Sequence, residues 1–263
     1  MEAFVREAGG GPSVICLHSN ASSSGQWRAL MELLAFDFRV LAPDMLGAGR
    51  SPPWPEPATP DLREELALLV PLLARTGERF HLVGHSYGAA VAAKIALAMP
   101  QRVASLLMYE PTLFALLDEE VPGQAAASGI SGVASTAAAA VARGDLDVAG
   151  RGFIDYWMEP GTWAAIPQAR REAIAASMRP IGIWSRALLT DPAKAADFAA
   201  LTMPVALMGG QNTTEAAKGV LRLLRQALPQ APCTVLPGIG HMGPVTHPGV
   251  VNTEIRSWLM QQR

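Results

Sequence analysis

Short runs of consecutive apolar residues recur through the first half of the chain, and they read SVICLH, RVLAPD, FHLVGH and VASLLMYE. Because their apolar residues are consecutive rather than alternating, these runs predict strands that are covered on both faces of a sheet. Helical patterns lie between them, such as QWRALMELLA after the first run and AAVAAKIALAM after the third. Strands that alternate with helices predict an α/β fold, with a mainly parallel open sheet and helices on both of its faces.

The strand pattern stops in the middle of the chain, over residues 112–201, where alanine is dense. A segment biased in this way is either a flexible linker or a set of helices. We predict a helical insertion, because alanine is the best helix former and the segment also carries large apolar residues. Strands resume in PVALMGG and CTVLPG. Residues 1–111 and 202–263 are therefore predicted to form the core, and residues 112–201 the insertion.

The composition excludes several classes of partner. The chain has 263 residues, of which 50% are hydrophobic and 17% charged, and its formal net charge is −2. These values are typical of a soluble globular protein, and they favour neither nucleic-acid binding nor membrane insertion. The chain does not start with positive charge followed by an apolar stretch, so we expect a cytoplasmic location. The oligomeric state stays open.

Cys16 and Cys233 lie far apart in apolar stretches, where we expect buried and inert thiols. No Cys/His cluster has the spacing of metal ligands. The sequence therefore predicts neither a metal nor a cofactor.

A serine between two glycines stands at the end of the third apolar run, in GHSYG at residues 84–88. The pattern Gly-x-Ser-x-Gly is weak evidence alone, but here it follows a predicted strand and precedes a predicted helix. Gly84 and Gly88 let the strand and the helix approach closely, and the helix N-terminus offers N–H groups to a developing oxyanion. We therefore predict that Ser86 is a nucleophile rather than a helix-capping serine.

Four motifs together resemble the α/β-hydrolase superfamily. GHSYG is similar to its nucleophile elbow, VICLHSNASSSGQW to its oxyanion loop, VLAPDMLGAGRS to its P-D-x-x-G-x-G-x-S turn, and LPGIGHMGPVTHP to its C-terminal histidine loop. The motifs occur in the family's order, and the insertion corresponds to the family's cap. The resemblance implies an α/β-hydrolase fold with a serine nucleophile. It implies little about the substrate, because the cap is the least constrained part of the family.

A serine hydroxyl is a poor nucleophile until a base removes its proton. His241 lies in a glycine-rich loop directly after the last strand, which should bring it to the same sheet edge as Ser86. His247 is its rival. His18 and His85 belong to the oxyanion and elbow motifs, where structural roles are expected.

The third catalytic residue departs from the family's common pattern. Most relatives have an Asp in the loop after the first strand beyond the cap, but that loop reads GGQNTTE here. Glu110 at the end of VASLLMYE is the favoured acid, because that strand should lie beside the nucleophile strand. Some relatives, the haloalkane dehalogenases among them, have a catalytic Glu there, and a charge at this place without such a role would be costly. Glu215, Asn212 and a bare Ser–His pair stay open.

An oxyanion hole requires two backbone N–H groups. The resemblance assigns one to Tyr87, directly after the nucleophile, and the other to Asn20 in the loop after His18. The family usually has Gly where this chain has Ser19. Asp44, in the P-D-x-x-G turn, is expected to be structural.

These residues predict a cofactor-free serine hydrolase that cleaves a small carboxylic ester or related acyl compound through an acyl-enzyme. Large side chains in or near the cap are candidates for its substrate pocket, or equally for the cap core: Phe114, Trp157, Trp163, Trp184 and Met242. Hydrolysis of a C–C bond, a thioester or a lactone, and perhydrolysis, can use the same groups. A small-molecule receptor with this fold is the alternative from a different class. A nucleophilic Ser rather than Asp argues against dehalogenase and epoxide-hydrolase chemistry.

Overall fold

The structure is a computed structural model that describes residues 1–119 and 121–263, with side chains described outside residues 120–124. Its strands are β1 (Val5–Ala8), β2 (Ser13–Leu17), β3 (Arg39–Pro43), β4 (Phe80–His85), β5 (Val103–Tyr109), β6 (Val205–Gly210) and β7 (Cys233–Leu236). They form one sheet in the order β1-β3-β2-β4-β5-β6-β7. β1 pairs antiparallel with β3, and every other neighbouring pair is parallel. The predicted mainly parallel sheet is confirmed.

Helices surround this sheet and also fill the long connection between β5 and β6. In chain order they are α1 (Arg28–Leu34), α2 (Arg63–Leu73), α3 (Tyr87–Ala98), α4 (Val121–Ala142), α5 (Leu146–Trp157), α6 (Thr162–Ala165), α7 (Gln168–Ser177), α8 (Ile181–Leu189), α9 (Ala195–Phe198), α10 (Glu215–Ala227), α11 (Gly243–Thr246) and α12 (Pro248–Met260). Apolar side chains of α2, α3 and α10 share one hydrophobic cluster, while those of α1 and α12 share another. The two clusters lie on opposite faces of the sheet.

The central strands are buried on both sides. In β2, Ile15 and Leu17 belong to the cluster under α3, whereas Val14 and Cys16 belong to the cluster under α1. Because successive side chains of a strand point to opposite faces, two covered faces require consecutive apolar residues. The prediction of helices on both faces is confirmed.

The two cysteines differ in their surroundings. Cys16 is buried in β2, and burial raises the pKa of its thiol. Cys233 begins the edge strand β7 and is half-buried, so the expectation of a buried thiol is wrong at this position. The reason is that an edge strand has a neighbour on one side only.

The alanine-rich segment is helical rather than a flexible linker. Buried residues of α4 recur every three or four positions, at Ala127, Ile130, Ala134, Ala137 and Ala140. This spacing is that of one helix face, and α4 packs against α5 and α8. Helices continue to α9, as predicted for the insertion. The division of the chain at residues 112 and 201 stays a prediction.

Among the residues that the structure describes, one helical segment, Ala125–Ala142, is long and apolar enough to cross a membrane by length and composition alone. A single such helix is weak evidence for a membrane span. Its high mean hydropathy comes largely from alanine. Its exposed positions include Ser128, Ser135 and Thr136, so the helix presents small and hydroxyl-bearing side chains rather than large apolar ones.

Candidate active site

Ser86 stands at the turn between β4 and α3. Its backbone has φ 56° and ψ −119°, a region that non-glycine residues rarely occupy. A Cβ on Gly84 would overlap the backbone of Ala89, and a Cβ on Gly88 would overlap the carbonyl oxygen of Leu17. Glycine is therefore required on both sides of the serine, because only glycine lets the helix start so close to β2 and β4.

His241 and Glu110 lie next to Ser86. His241 Nε2 is 2.9 Å from Ser86 Oγ, and His241 Nδ1 is 2.6 Å from Glu110 Oε2. Both partners of this second contact are buried, with Glu110 0% exposed and His241 1%. The structure thus brings together three side chains, although His241 lies more than 100 residues along the chain from both Ser86 and Glu110. Their geometry is that of a nucleophile, a base and an orienting acid.

Two further hydrogen-bond donors bind the carboxylate of Glu110 and lower the free-energy cost of burying its charge. The backbone N–H of Gly210 donates to Oε1, and the hydroxyl of Thr213 donates to Oε2, both at 2.6 Å. Gly210 is the last residue of β6, and Thr213 lies in the loop that follows, in which most of the family has an Asp and this chain has none. That loop therefore binds the acid instead of supplying it, and these bonds compensate the buried charge.

The alternatives for the base and the acid lie elsewhere. Glu215 starts α10 as an exposed residue and pairs with Lys218 at 2.9 Å. Asn212 uses its backbone N–H to bind the carbonyl of Ile239. The ring of His247 is bonded to the neighbouring Thr246 hydroxyl. Of the candidates considered from the sequence, Glu110 and His241 are the ones that the structure places beside Ser86.

The predicted oxyanion residues flank the nucleophile. Tyr87 is the first residue of α3, and Asn20 lines the same cavity as Ser86. Ser19, which replaces the family's usual glycine, is held by Gln26: its backbone N–H and its hydroxyl both donate to Gln26 Oε1, at 3.2 and 3.0 Å. Ser19 therefore makes two hydrogen bonds to Gln26, whereas a glycine at this position could make only the backbone one.

The buried His85 connects the loop after β2 with His241. His85 Nε2 is 2.9 Å from the carbonyl oxygen of His241, and His85 Nδ1 is 3.1 Å from Gln26 Nε2. A carbonyl only accepts, so Nε2 carries the proton and Nδ1 accepts from the Gln26 amide. Burial, together with the nearby His241, lowers the pKa of His85 well below its ordinary value, which agrees with this neutral form.

Sequence reasoning missed two residues beside the elbow, Gln26 and Glu65. Glu65 is buried in α2, where it accepts the hydroxyl of Tyr87 at 3.0 Å and the N–H of Leu46 at 3.1 Å. Burial raises the pKa of Glu65 to about 7, although both of these bonds oppose the rise. In the sequence Glu65 looks like an ordinary acidic residue in the first turn of a helix, and Gln26 is an unremarked polar residue in the motif SSSGQW.

Two neighbouring spaces lie near Ser86 and share Asn20, Phe153 and Trp157 in their walls, and we name them the inner cavity and the outer vestibule. The inner cavity is lined by Asn20, Ser86, Thr112, Phe114, Ile130, Val133, Ala134, Phe153, Trp157, Trp184, Ser185, Leu188 and Leu189. The outer vestibule is lined by Asn20, Ala21, Ser22, Phe153, Ile154, Trp157, Met158, Thr162, Ile166, Arg170, Ile174, Met242, Val245 and Thr246. The volume of the inner cavity is about 20 Å³, against about 440 Å³ for the outer vestibule.

The predicted pocket residues divide among three places. Phe114, Trp157 and Trp184 line the inner cavity, and Met242 lines the outer vestibule. Trp163 lines neither: it is 1% exposed and packs in a small cluster within the cap. The pocket interpretation of Trp163 is therefore wrong. Its ring fits there because α5 has Gly150 at the position where a side chain would overlap the ring. Trp163 Nε1 donates to Asp147, which also belongs to α5.

Trp157 separates the two spaces. It belongs to the walls of both, and its ring stacks on the imidazole of His241 with centroids 3.9 Å apart and planes 25° apart. The ring of Trp157 also contacts the rings of Phe114 and Phe153. The imidazole of His241, the predicted base, is therefore covered by a residue of the insertion.

The match to known families agrees with this geometry. A family model described as alpha/beta hydrolase fold matches residues 12–248. This range covers most of the chain, so the protein belongs to the α/β-hydrolase family, and the resemblance of its motifs is confirmed.

Individual relatives are more distant. The chain is 33% identical over 125 residues to a pimeloyl-[acyl-carrier protein] methyl ester esterase of Aeromonas hydrophila, a match over 47% of each protein. It is 37% identical over 105 residues to the lipase LipV of Mycobacterium tuberculosis, a match over 39% of each. The chain thus spans about half or less of the length of these curated relatives. The structure of a thermophilic esterase from Thermogutta terrifontis superposes with a TM-score of 0.73 at 23% identity, over 99% of this chain and 93% of that one, which shows the shared fold.

Proposed function

We propose that the protein is a serine hydrolase that cleaves a small carboxylic ester through an acyl-enzyme intermediate. The observation that carries the proposal is the continuous array of Ser86, His241 and Glu110, with contacts of 2.9 and 2.6 Å. The esterase and the lipase among the relatives support ester hydrolysis as the reaction.

In the first half of the reaction, His241 Nε2 takes the proton of Ser86 while Oγ attacks the ester carbonyl carbon. The backbone N–H groups of Asn20 and Tyr87 hold the oxyanion, and each such donor contributes about 3 kcal/mol to transition-state stabilisation. The carbon–oxygen bond then breaks as His241 passes its proton to the alcohol oxygen. Glu110 accepts the Nδ1 proton in a hydrogen bond and stabilises the imidazolium.

In the second half, water replaces the alcohol. His241 removes a proton from the water as it attacks the acyl carbon of Ser86, and returns that proton to Oγ when the acid leaves. All of the reacting groups belong to the chain, the substrate or water, and the proposed reaction requires no cofactor.

The two spaces indicate how the substrate lies. The leaving alcohol must accept a proton from His241 Nε2, so it belongs on the side of the histidine loop. Met242, Val245 and Thr246 of that loop line the outer vestibule, which therefore takes the alcohol. The inner cavity, on the side of Thr112 and Phe114, takes the acyl group.

The experiment is hydrolysis of p-nitrophenyl acetate and butyrate by the wild type and by Ser86→Ala, together with labelling by a fluorophosphonate. Ser86→Ala should lose both labelling and all but a trace of turnover, because the residual rate comes from binding and the oxyanion hole alone. Ser135→Ala, on the exposed face of α4, should behave as the wild type. A wild type that binds these esters without turning them over would support the receptor alternative, and full activity in Ser86→Ala would contradict the proposal.

A further inference from the structure

The wall of the inner cavity contains a buried hydroxyl for which the described residues offer no hydrogen-bond partner. Thr112 lies two residues after Glu110, and its backbone N–H is 3.4 Å from the carbonyl oxygen of Ser86, which places it beside the nucleophile. The residue is 2% exposed and lines the inner cavity. Within the part of the chain that the structure describes, Thr112 Oγ1 has no hydrogen-bond partner.

A second polar atom in the wall of the inner cavity, Trp157 Nε1, is also buried and has no hydrogen-bond partner among the described residues. Trp157 is 4% exposed, and its Nε1 has no partner among the described residues. Other buried side-chain atoms without a partner occur on Arg6, Ser24, Trp27, Trp54, Asn252 and Arg256. None of those residues lines the inner cavity, so Thr112 and Trp157 form a pair distinguished by location.

A buried hydroxyl without a partner lowers stability, and valine has nearly the same shape without this cost. Folding alone therefore favours valine at position 112. A ligand that offers a hydrogen-bonding atom next to the nucleophile would reverse this preference, because it would satisfy the hydroxyl.

The lining also restricts the charge of such a ligand. No charged side chain is found among the described residues of the inner cavity. A carboxylate or an ammonium group would be buried there without a counter-charge, which is costly. The indole N–H of Trp157 is only a donor, so a ligand atom that pairs with it must be able to accept a hydrogen bond.

We propose that the inner cavity takes a short acyl group that carries an uncharged hydrogen-bonding oxygen next to the scissile carbonyl, such as a 2-hydroxyacyl group, and that Thr112 recognises this oxygen. The inference rests on the proposed serine-hydrolase function. Thr112 is then a specificity-determining residue, and the small volume of the cavity, about 20 Å³, favours a short acyl group.

The test compares phenyl glycolate with phenyl propionate, whose acyl groups have the same number of heavy atoms and differ in one hydroxyl for one methyl. The measured quantity is the ratio of kcat/KM for glycolate to kcat/KM for propionate. Thr112→Val should lower this ratio about tenfold relative to the wild type, the loss of about one hydrogen bond. The intrinsic reactivities of the two esters cancel in the comparison between enzymes. Thr112→Ser keeps the hydroxyl and should keep the ratio.

A matched control is Thr76→Val. Thr76 is also buried, at 5% exposure, but its hydroxyl donates to the carbonyl of Leu73 at 2.8 Å and it lies outside both spaces. Thr76→Val should leave the ratio unchanged and lower the melting temperature. Thr112→Val should lower the ratio and leave the melting temperature equal or higher.

The outcomes separate the two proposals. If the wild type hydrolyses both esters and Thr112→Val has the same ratio, or loses melting temperature as Thr76→Val does, the inference about Thr112 is wrong while the serine-hydrolase function stands. If the wild type hydrolyses neither ester and is not labelled by a fluorophosphonate, the proposed function fails and the inference fails with it.

Discussion

Two residues of the array have backbone conformations that are unfavourable by themselves. Ser86 has φ 56° and Glu110 has φ 44°, and each such residue costs on the order of 1–3 kcal/mol. The fold supports both: the N–H of Ser86 donates to Tyr109 and that of Glu110 to Met208, each at 2.9 Å. They directly follow the neighbouring strands β4 and β5 at the same sheet edge, so the strain lies where the proposed chemistry needs the two side chains.

The role of Glu110 can be tested against Glu215, the alternative acid. Glu110→Gln removes the charge that stabilises the imidazolium, and we expect kcat to fall by about 100-fold or more. Glu215→Gln changes an exposed helix residue and should leave kcat within about twofold, since exposed charges have small effects. Steady-state kinetics with p-nitrophenyl butyrate measures both. The opposite ranking would assign the acid to Glu215.

Glu65 predicts a dependence of stability on pH. Its pKa is about 7 in the folded protein against 4.5 in the unfolded chain, so the folded state binds this proton more tightly. Between these pH values stability falls as pH rises, and above about pH 7 the loss is complete, at up to about 3 kcal/mol.

Glu65→Gln should remove this loss, because glutamine keeps an acceptor for Leu46 N–H and a polar partner for the Tyr87 hydroxyl without ionising. Urea unfolding of both proteins at pH 5 and pH 8 measures the effect. The variant should gain stability relative to the wild type at pH 8 by more than it does at pH 5. An equal difference at the two pH values would show that Glu65 does not titrate in this range.

At the scale of elements, the site depends on three segments that meet above the sheet: the loop after β2, the elbow after β4 and the loop after β7. Gln26 and His85 connect them through hydrogen bonds to Ser19 and to the carbonyl of His241. A glutamine amide can serve both neighbours because it has an acceptor on one side and a donor on the other. The oxyanion loop and the base loop are therefore positioned by one network.

Gln26→Leu should disturb this network, because it leaves the N–H of Ser19 and Nδ1 of His85 without their partner. Because the N–H of Asn20, the proposed oxyanion donor, should shift with its neighbour Ser19, we expect kcat to fall by about 100-fold with a smaller change in KM. Gln168→Leu replaces an exposed glutamine that pairs with Glu172 in the cap and serves as the control. Equal kcat in the two variants would mean that the oxyanion loop is held without Gln26.

At the scale of the whole molecule, helices of the insertion shape both spaces beside His241. The inner cavity is small and enclosed by cap helices, whereas the outer vestibule is more than twenty times larger by accessible volume. Trp157 lies between them and covers His241. The cytoplasmic location and the absence of nucleic-acid and membrane partners stay predictions from the composition.

The two volumes predict selectivity for the acyl group and tolerance for the alcohol. The inner cavity has room for about one water-sized group, so kcat/KM should fall at least tenfold from p-nitrophenyl acetate or propionate to the octanoate. Enlarging the alcohol, from methyl to benzyl acetate, should cost less than this. Preference for the long acyl chain would contradict the assignment of the inner cavity to the acyl group.

Local patterns in the sequence determined the fold class and the strand–turn–helix elbow around Ser86. Consecutive apolar residues predict strands covered on both faces wherever they occur, and alanine predicts helix in the cap. Gly84 and Gly88 flank Ser86 within one turn of chain, so the elbow is specified by neighbours in sequence. His241 and Glu110 were predicted because the carboxyl ends of parallel strands share an edge, a rule that needs the strand order and no side-chain contact.

Contacts between distant segments decided the rest. The choice among Glu110, Glu215 and Asn212 depends on the donors from Gly210 and Thr213, about 100 residues from Glu110. Trp157 covers the base while Trp163 fills the cap, although both are tryptophans of the same segment, because packing against particular neighbours separates them. The half-buried Gln26 and the buried Glu65 function as hydrogen-bond partners that no local pattern marks, since burial and hydrogen bonding arise only when the chain has folded.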